Sequence, residues 1–254
     1  MLLEERLCRE YGLDAAILVP SSSDELTLRT ALAKAAAAFL ERWLNEGMVV
    51  GVATSRTLHE MGDYFSPSRK LQNCTFVEMV GGIAADDPRF DTFNVSWKLA
   101  EACGGSARHL LTPAVVNSFH AKEVLLNDER IAKTLKLAAK SDVGLLAIGS
   151  APKNVPLYQM ANLTEQDCKE LESMGAVGEI MGYPYDVNGN PISHPIYDRV
   201  IGLELHQVKE FPSVIVVAGG VDKELAVLGA LRQQFIKVLV TDYKTGLAIV
   251  DPPQ

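Results

Sequence analysis

The stretch VIVVAGGVDKELAVLGALRQQFIKVLVTD, residues 214–242, decides the fold. It opens with an apolar run, residues 214–218, that is typical of a strand buried on both faces. Gly219 and Gly220 interrupt this run and allow a sharp turn. Apolar residues then recur at helical spacing, and a second apolar run occupies 238–240. The order strand, turn, helix, strand predicts a βαβ unit whose two strands are parallel neighbours.

The glycine turn is also a candidate ligand site, because open α/β sheets bind ligands at the carboxyl ends of their strands. Gly219 and Gly220 leave the backbone accessible there, and Asp222 is placed to cap the following helix. Lys223 lies in this loop or in the first helical turn. Its cation can join unpaired backbone N–H groups in holding an anion. We therefore predict an anion-binding position formed by Gly219, Gly220 and Lys223.

The composition fits one large globular domain or two small ones, since the chain has 254 residues of which 48% are hydrophobic. A net charge of −8 disfavours direct contact with nucleic acid. No apolar run approaches the roughly 18 residues that a membrane-spanning helix needs, and the N-terminus lacks a signal peptide's apolar core. The four cysteines and five histidines form no C-x-x-C or H-E-x-x-H pattern. These features predict a cytoplasmic chain with no membrane partner, no metal site and no cofactor.

Further apolar runs alternate with helical patterns along the chain. We predict strands at 15–19, 48–53, 75–80, 142–148 and 198–203, and a strand or extended segment at 109–114. Helices are predicted at 1–12, from the cap signal at 21–24 to about 45, from 58 onward, and at 94–103, 118–127, 128–140, 164–175 and 204–211. Asn188-Gly189 is a hairpin-type turn signal. The alternation predicts an α/β, Rossmann-like fold: a mostly parallel twisted sheet with helices on both faces.

A second turn with the chemistry of an anion site follows the strand predicted at 48–53. Its residues are Thr54, Ser55, Arg56 and Thr57, and a helix begins next. Hydroxyl groups, a guanidinium and the backbone N–H groups of a helix N-terminus are the groups that hold phosphate. The alternative is that Thr54 or Ser55 merely caps the helix.

Five motifs follow one another in an order that carries more information than any one of them. They are GVATSRTL (51–58), VEMVGGI (77–83), SDVGLLAIGS (141–150), GAVGEIMGYPYDVNGNPI (175–192) and RVIGLELHQVKEFPSVIVVAGGVDKELAVLGALRQQFIKVLVTD (199–242). Together they resemble the effector-binding domain of SorC/DeoR-like bacterial transcriptional regulators, a family that includes central glycolytic and deoxyribonucleoside regulators. The resemblance covers nearly the whole chain from about Glu4.

The resemblance implies a fold similar to that of glucosamine-6-phosphate deaminase, ribose-5-phosphate isomerase and CoA-transferase. By position, it makes residues 54–57 a phosphate cradle and places Gly81 and Gly82 in the cleft wall. It also makes Glu179 an acceptor for sugar hydroxyl groups and Lys223 a second anion contact. The alternatives are a surface carboxylate at Glu179 and a helix-start cation at Lys223.

The expected function is that of the family: binding a phosphorylated sugar without covalent chemistry and controlling oligomerisation and DNA binding. The resemblance implies a homodimer or homotetramer. It also implies that operator DNA is contacted only through a helix-turn-helix domain absent from this chain, which begins at what resembles the linker helix. We expect a single effector-binding domain over 1–254, with a small subdomain possible within 82–114 or 175–202.

The alternative function is a phosphosugar isomerase or deaminase on the same fold. Such enzymes place catalytic carboxylates near the loop that follows the strand at 142–148, where this chain has Gly149, Ser150 and Ala151. Only Glu179 and Asp86 offer acid–base chemistry, so we predict that the chain is not an enzyme. A nucleotide-binding Rossmann domain is disfavoured because no G-x-G-x-x-G is present. The aperiodic residues 152–162 are a candidate lid.

Overall fold

The βαβ unit lies within a seven-stranded parallel sheet in this computed structural model, which describes residues 2–68, 71–82, 95–150 and 163–251. The strands are β1 (Ala15–Val19), β2 (Val49–Val52), β3 (Thr75–Glu78), β4 (Ser106–Arg108), β5 (Val143–Ala147), β6 (Gly149–Ser150), β7 (Ala176–Ile180), β8 (Tyr183–Asp186), β9 (Ser213–Val217) and β10 (Val238–Asp242). The helices are α1 (Leu3–Tyr11), α2 (Glu25–Trp43), α3 (Arg56–Tyr64), α4 (Val95–Cys103), α5 (Phe119–Leu126), α6 (Glu129–Ala138), α7 (Glu165–Ser173), α8 (Leu205–Val208), α9 (Glu224–Arg232) and α10 (Tyr243–Val250).

The main sheet has the strand order β1-β10-β9-β5-β2-β3-β4, and all of its pairings are parallel. Strands β9 and β10 are parallel neighbours in the register Ile215↔Val238, which confirms the predicted βαβ unit. Every residue of both strands is buried, because helices flank the sheet and cover these central strands. The predicted α/β fold class is confirmed. Because the strands are parallel, the turns that follow β2, β3, β5 and β9 lie along one edge of the sheet.

A second sheet is small and antiparallel, with the order β6-β7-β8. Strand β6 follows β5 after one residue, Ile148, so the chain passes directly from the main sheet into the small one. Gly149 lies opposite Glu179 in the β6–β7 pairing. The small sheet therefore brings β7 beside the loop that follows β5. Strands β7 and β8 fall within 175–202, whereas the described part of 82–114 contributes α4 and β4; the subdomain remains a prediction.

Helix α2 shows how local sequence and packing agree. The Asp24 carboxylate accepts a hydrogen bond from the Thr27 backbone N–H at 2.8 Å and so caps the helix. Ala33, Ala36 and Ala37 on one face are buried, with 0–1% of their surface exposed. Because alanine combines high helix propensity with a small side chain, this face packs closely against the sheet.

Three elements differ from the sequence prediction. Strand β4 ends at Arg108 instead of spanning 109–114, because the Leu110 N–H donates to the Glu78 carboxylate at 2.7 Å rather than to a strand. The strand predicted at 198–203 is wrong: a 3₁₀ turn, Pro195–Arg199, is followed by single bridges at Val200 and Gly202.

Helix α10 was not predicted, since the Thr241-Asp242 pair was interpreted only as a strand end and Gly246 lowers helix propensity. In the structure Asp242 is the N-cap of α10. Gly246 allows close packing, because a Cβ there would lie 3.1 Å from Leu18 and 3.4 Å from Leu7. The missing side chain therefore lets the helix approach α1 and β1. The candidate acid Asp86 and the candidate lid 152–162 lie outside the described residues.

Candidate ligand-binding site

The turn after β2 caps a helix and also presents polar groups. The Ser55 hydroxyl accepts a hydrogen bond from the Leu58 N–H at 3.0 Å, which makes Ser55 the N-cap of α3. Thr54 and Thr57 are partly buried in the same turn. Ser55 therefore caps the helix, as the alternative interpretation held. The Thr54 and Thr57 hydroxyl groups remain at a helix N-terminus, where an anion is favoured.

Arg56 is the first residue of α3 and forms an exposed ion pair. Its Nη2 lies 3.1 Å from Glu25 Oε1, and 43% and 72% of the two side chains are exposed. Ion pairs this exposed contribute about 0–1 kcal/mol, because water screens them. A phosphate dianion arriving at the turn can therefore replace Glu25 as the partner of Arg56 at little cost in stability.

Lys223 lies just before α9, at the end of the 3₁₀ turn Val221–Lys223. Its Nζ donates a hydrogen bond to the Ile148 carbonyl at 2.7 Å. Burial lowers the pKa of Lys223, the Glu179 carboxylate acts in the opposite direction, and Arg56 lowers it further. The carboxylates that act on Lys223 are thus Glu179 and, more weakly, Glu25, both brought from other elements, and not the sequence neighbour Asp222, which is exposed.

Glu179 is buried, with 8% of its surface exposed, so the surface-carboxylate alternative is wrong. One carboxylate oxygen accepts the Gly182 N–H at 2.6 Å across the β7–β8 turn. Met181 and Gly182 in that turn both have positive φ, 55° and 88°, as a two-residue type I′ hairpin turn requires. Burial raises the pKa of Glu179, whereas the Gly182 N–H, the Lys223 ammonium and the Gly149 N–H oppose that rise.

The turn after β9 is held by α10 rather than left open. The Gly220 N–H lies 2.8 Å from the Asp242 carboxylate and 3.0 Å from the Thr245 hydroxyl, and donates to both. Gly220 has φ 111° and ψ 153°, a conformation that residues with side chains rarely adopt. A Cβ at Gly219 would lie 2.7 Å from Asp242 Oδ1. Packing requires Gly219 and backbone conformation requires Gly220, whose N–H is already committed within the fold.

Gly81 and Gly82 pack against two neighbouring segments. The Gly81 N–H donates to Ile201 O and the Gly82 N–H to Thr112 O, both at 2.9 Å. A Cβ at Gly81 would lie 2.4 Å from Pro113 O. The two glycines therefore form a tightly packed wall at the end of β3, and their N–H groups are occupied.

The fold brings three of the predicted residues together. Arg56 begins α3 after β2, Glu179 lies within β7 opposite Gly149, and Lys223 follows β9 and bonds to the neighbouring Ile148 carbonyl. The pKa of Lys223 responds to both Glu179 and Arg56. Glu25, at the start of α2, is a fourth charged neighbour that the sequence analysis missed. The site thus combines two cations and a buried carboxylate, which suits a ligand carrying both an anionic group and hydroxyl groups.

The sequence analysis missed a second group of charged residues, which lies at the end of β3. Buried Glu78 accepts hydrogen bonds from His109 Nδ1 at 2.8 Å, from the Ser96 hydroxyl at 3.1 Å and from the Leu110 N–H at 2.7 Å. A carboxylate inside the apolar run TFVEMV was the available signal. Because all three donors come from the surrounding fold, the cluster fixes the segment after β4 against β3.

One group of side chains has the residue types that bind metals, but its histidine carries its proton on the nitrogen that would have to bind the metal. Ligand atoms of Asp167, Glu170 and His194 lie within 4.8 Å of one another. His194 Nδ1 accepts the Ile196 N–H at 3.3 Å, so the neutral ring carries its proton on Nε2, which lies 4.0 Å from Glu170 Oε2. A metal needs a bare lone pair on Nε2, which this tautomer does not offer, and the buried Nε2 has no hydrogen-bond partner among the described residues.

Comparisons with known proteins identify the family. The Sugar-bind family, described as a sugar-binding domain, matches residues 1–251. The deoxyribonucleoside regulator of Bacillus subtilis (strain 168) is 27% identical over 253 residues, which is 98% of this chain and 78% of that protein.

Solved structures agree with this match. The sugar-binding domain of a transcriptional repressor from Vibrio fischeri has a TM-score of 0.87 at 26% identity and covers 98% of this chain and 97% of that one. The full-length sorbitol operon regulator SorC from Klebsiella pneumoniae shares the fold, with a TM-score of 0.90 at 21% identity over 98% of this chain and 80% of that one.

These relatives are transcriptional regulators and not enzymes. Among the described residues, no helix combines the length and apolarity needed to cross a bilayer. The chain belongs to the family of sugar-binding effector domains found in SorC/DeoR-type transcriptional regulators.

Proposed function

We propose that this effector domain binds a phosphorylated sugar without covalent chemistry, at the carboxyl edge of the main sheet. The observation that carries the proposal is the meeting of Arg56, Lys223 and buried Glu179 at this edge. The phosphate binds the N-terminus of α3 with Arg56, and the hydroxyl groups of the sugar donate to Glu179. An unphosphorylated sugar can bind Glu179 but has no phosphate for Arg56 and the N-terminus of α3.

The geometry favours binding over turnover. The turn after β9 commits its Gly220 N–H to Asp242 and Thr245, so it contributes shape rather than a new hydrogen bond. Glu179 is held by the Gly182 N–H at 2.6 Å, which fixes it as an acceptor and restricts its movement towards a reacting proton.

The same proposal includes regulation. Ligand binding shifts a cytoplasmic homodimer or homotetramer between states, and operator DNA is contacted through a helix-turn-helix domain outside this chain. The relatives are longer than the matched region, since the alignment covers 78% of the Bacillus subtilis regulator. The net charge of −8 supports a separate DNA-contacting part.

The test is a thermal-shift and calorimetric screen of sugar monophosphates and bisphosphates, each paired with its unphosphorylated sugar. A ligand at 100 times its Kd stabilises the folded chain by about 2.7 kcal/mol, provided that the unfolded chain does not bind it. We expect stabilisation by at least one sugar phosphate and none by its unphosphorylated partner at equal concentration. Equal effects of both members of every pair would refute phosphate recognition.

Variants connect a positive result to the site. Glu179→Gln should weaken a sugar phosphate more than it weakens inorganic phosphate, because only the sugar offers hydroxyl donors to the carboxylate. Arg9→Ala is the matched control for changes at Arg56, since the Arg9 side chain is 66% exposed on α1 at the opposite edge of the sheet. Loss of binding in the Arg9 variant would point to a general effect of charge.

A further inference from the structure

Gly149 lies where the Glu179 carboxylate needs space. A Cβ atom at Gly149 would lie 2.2 Å from Glu179 Oε1, closer than Cβ atoms in folded proteins approach, and 3.0 Å from its Cδ, a very tight contact. Gly149 is not one of the described glycines with positive φ, so its backbone conformation does not demand glycine. The three atoms nearest to this Cβ position, among the described residues, all belong to the Glu179 side chain.

The residue before it holds the other charged group of the site. The Ile148 carbonyl accepts the hydrogen bond from Lys223 Nζ at 2.7 Å. The Gly149 N–H acts on the Glu179 carboxylate. Two consecutive residues in the passage from β5 to β6 therefore set the positions of both Lys223 and Glu179.

We propose that Gly149 is a positioning residue for the ligand site, because it reserves the volume in which the Glu179 carboxylate lies beside Lys223. It acts through Glu179 and does not touch the ligand. Any larger residue at 149 displaces the carboxylate from the Gly182 N–H and away from Lys223. The consequence for ligand affinity depends on the proposed function, whereas the steric relation between Gly149 and Glu179 exists in the free chain.

Gly178 supplies a matched control on the facing strand. A Cβ there would lie 2.7 Å from Ala226 Cβ, 2.7 Å from the Tyr185 hydroxyl and 2.9 Å from the Gly149 carbonyl, none of which belongs to Glu179. Gly178→Ala should therefore disturb packing in the same small sheet without depending on the carboxylate.

The first experiment measures melting temperatures without ligand. Gly149→Ala should lower the Tm by about 2–6 °C in the wild-type chain and in Glu179→Gln, whose side chain has the same size. In Glu179→Ala the same change should cause no fall, because the clashing atoms are gone. Gly178→Ala should lower the Tm equally in all three backgrounds. An equal effect of Gly149→Ala with and without the Glu179 side chain, or no effect in the wild type, would overturn the proposal.

The second experiment uses inorganic phosphate and ribose 5-phosphate as probes. Gly149→Ala should weaken ribose 5-phosphate about tenfold or more and inorganic phosphate much less, because only the sugar donates to Glu179. If the Glu179 carboxylate is displaced, the pKa of Lys223 falls further. The pH at which phosphate affinity is lost should therefore be lower in Gly149→Ala and unchanged in Gly178→Ala.

If neither probe binds the wild-type chain, the proposed function fails for these compounds, and the melting temperatures alone decide the role of Gly149. If ribose 5-phosphate binds the wild type and Gly149→Ala equally well, the positioning role is refuted even where the steric clash is real.

Discussion

Lys223 offers the most direct test of the charge arrangement, because burial lowers its pKa while the proposed ligand requires its ammonium form. We expect the affinity for a sugar phosphate to fall as pH rises through this lowered pKa, before the value of about 10.4 that a free lysine shows. The replacement Lys223→Met keeps the length of the side chain and removes the charge. It should weaken binding at neutral pH and abolish the alkaline decline.

The magnitude follows from the contacts. A hydrogen bond to a charged group contributes about 1.5–3 kcal/mol, so Lys223→Met should raise Kd by about 10- to 150-fold. In the wild type, Kd should rise by up to about tenfold per pH unit above the lowered pKa and level off near the Kd of Lys223→Met, because the neutral amine makes no charged hydrogen bond to the anion. Sugar phosphates are dianions above a pKa near 6, so measurements between about pH 7.5 and 10 isolate the lysine.

The stability of the folded chain changes with pH in the opposite direction to the affinity for the ligand. A lysine whose pKa is lowered in the folded chain binds fewer protons there than in the unfolded chain, so stability increases with pH between the lowered pKa and about 10.4. Below that window the partly buried ammonium is a cost, which Lys223→Met removes while also losing the bond to the Ile148 carbonyl. The two effects oppose each other, and we expect a net change within about 1 kcal/mol at pH 7.

The assay is isothermal titration calorimetry at several pH values, in buffers that differ in ionisation enthalpy. At alkaline pH the wild type should take up a proton on binding, and Lys223→Met should not. Lys133→Met is the control, since that side chain is 78% exposed on α6. An unchanged pH profile in Lys223→Met would refute the role of this amine, and general unfolding of the variant would show that Lys223 is needed for the fold instead.

Four further predictions concern the site and the assembly. Arg56→Ala should weaken phosphosugar binding by about 1.5–3 kcal/mol in calorimetry and leave the Tm nearly unchanged, because its partner Glu25 is exposed; unchanged affinity removes Arg56 from the site. Borohydride with deoxyribose 5-phosphate should give no adduct at Lys223 by mass spectrometry, since its Nζ is held by the Ile148 carbonyl and Glu179 opposes the fall in pKa that burial causes; a mapped adduct shows a nucleophilic amine. The chain alone should not bind operator DNA in a low-salt mobility shift, given its net charge of −8, and sub-micromolar specific binding contradicts this. Light scattering should find a dimer or tetramer whose balance the ligand shifts, whereas a monomer under both conditions counts against regulation by assembly.

The sheet could be predicted because its signals are local. The apolar runs around β2, β5, β9 and β10 are continuous, as strands covered on both faces require, and each ends at glycine or small polar residues. The parallel pairing of β9 and β10 followed from the helix between them. By contrast, α10 was missed because its N-cap, Asp242, looks the same in sequence as a residue that ends a strand.

The placement of the candidate site's residues in the fold was predictable in part, for the same reason. Thr54, Arg56 and Lys223 stand at turns that follow strands, so their position at the ligand edge of the sheet was readable from local pattern. The sequence around Gly149 offers no acidic residue and so predicts a loop without a carboxylate. The structure supplies one from Glu179, thirty positions away along the chain, through the pairing of β6 with β7.

The sequence by itself determined the α/β architecture, the family and the polar turns at the sheet edge, since each rests on short-range pattern or on motif order. Tertiary structure alone decided which groups act on one another. It set Glu179 against Gly149 and beside Lys223, and it committed the Gly220 N–H to Asp242. The physical reason is that burial and the close approach of distant segments set both the pKa of a buried charge and the space left for it, and neither quantity is encoded within a few residues of the group.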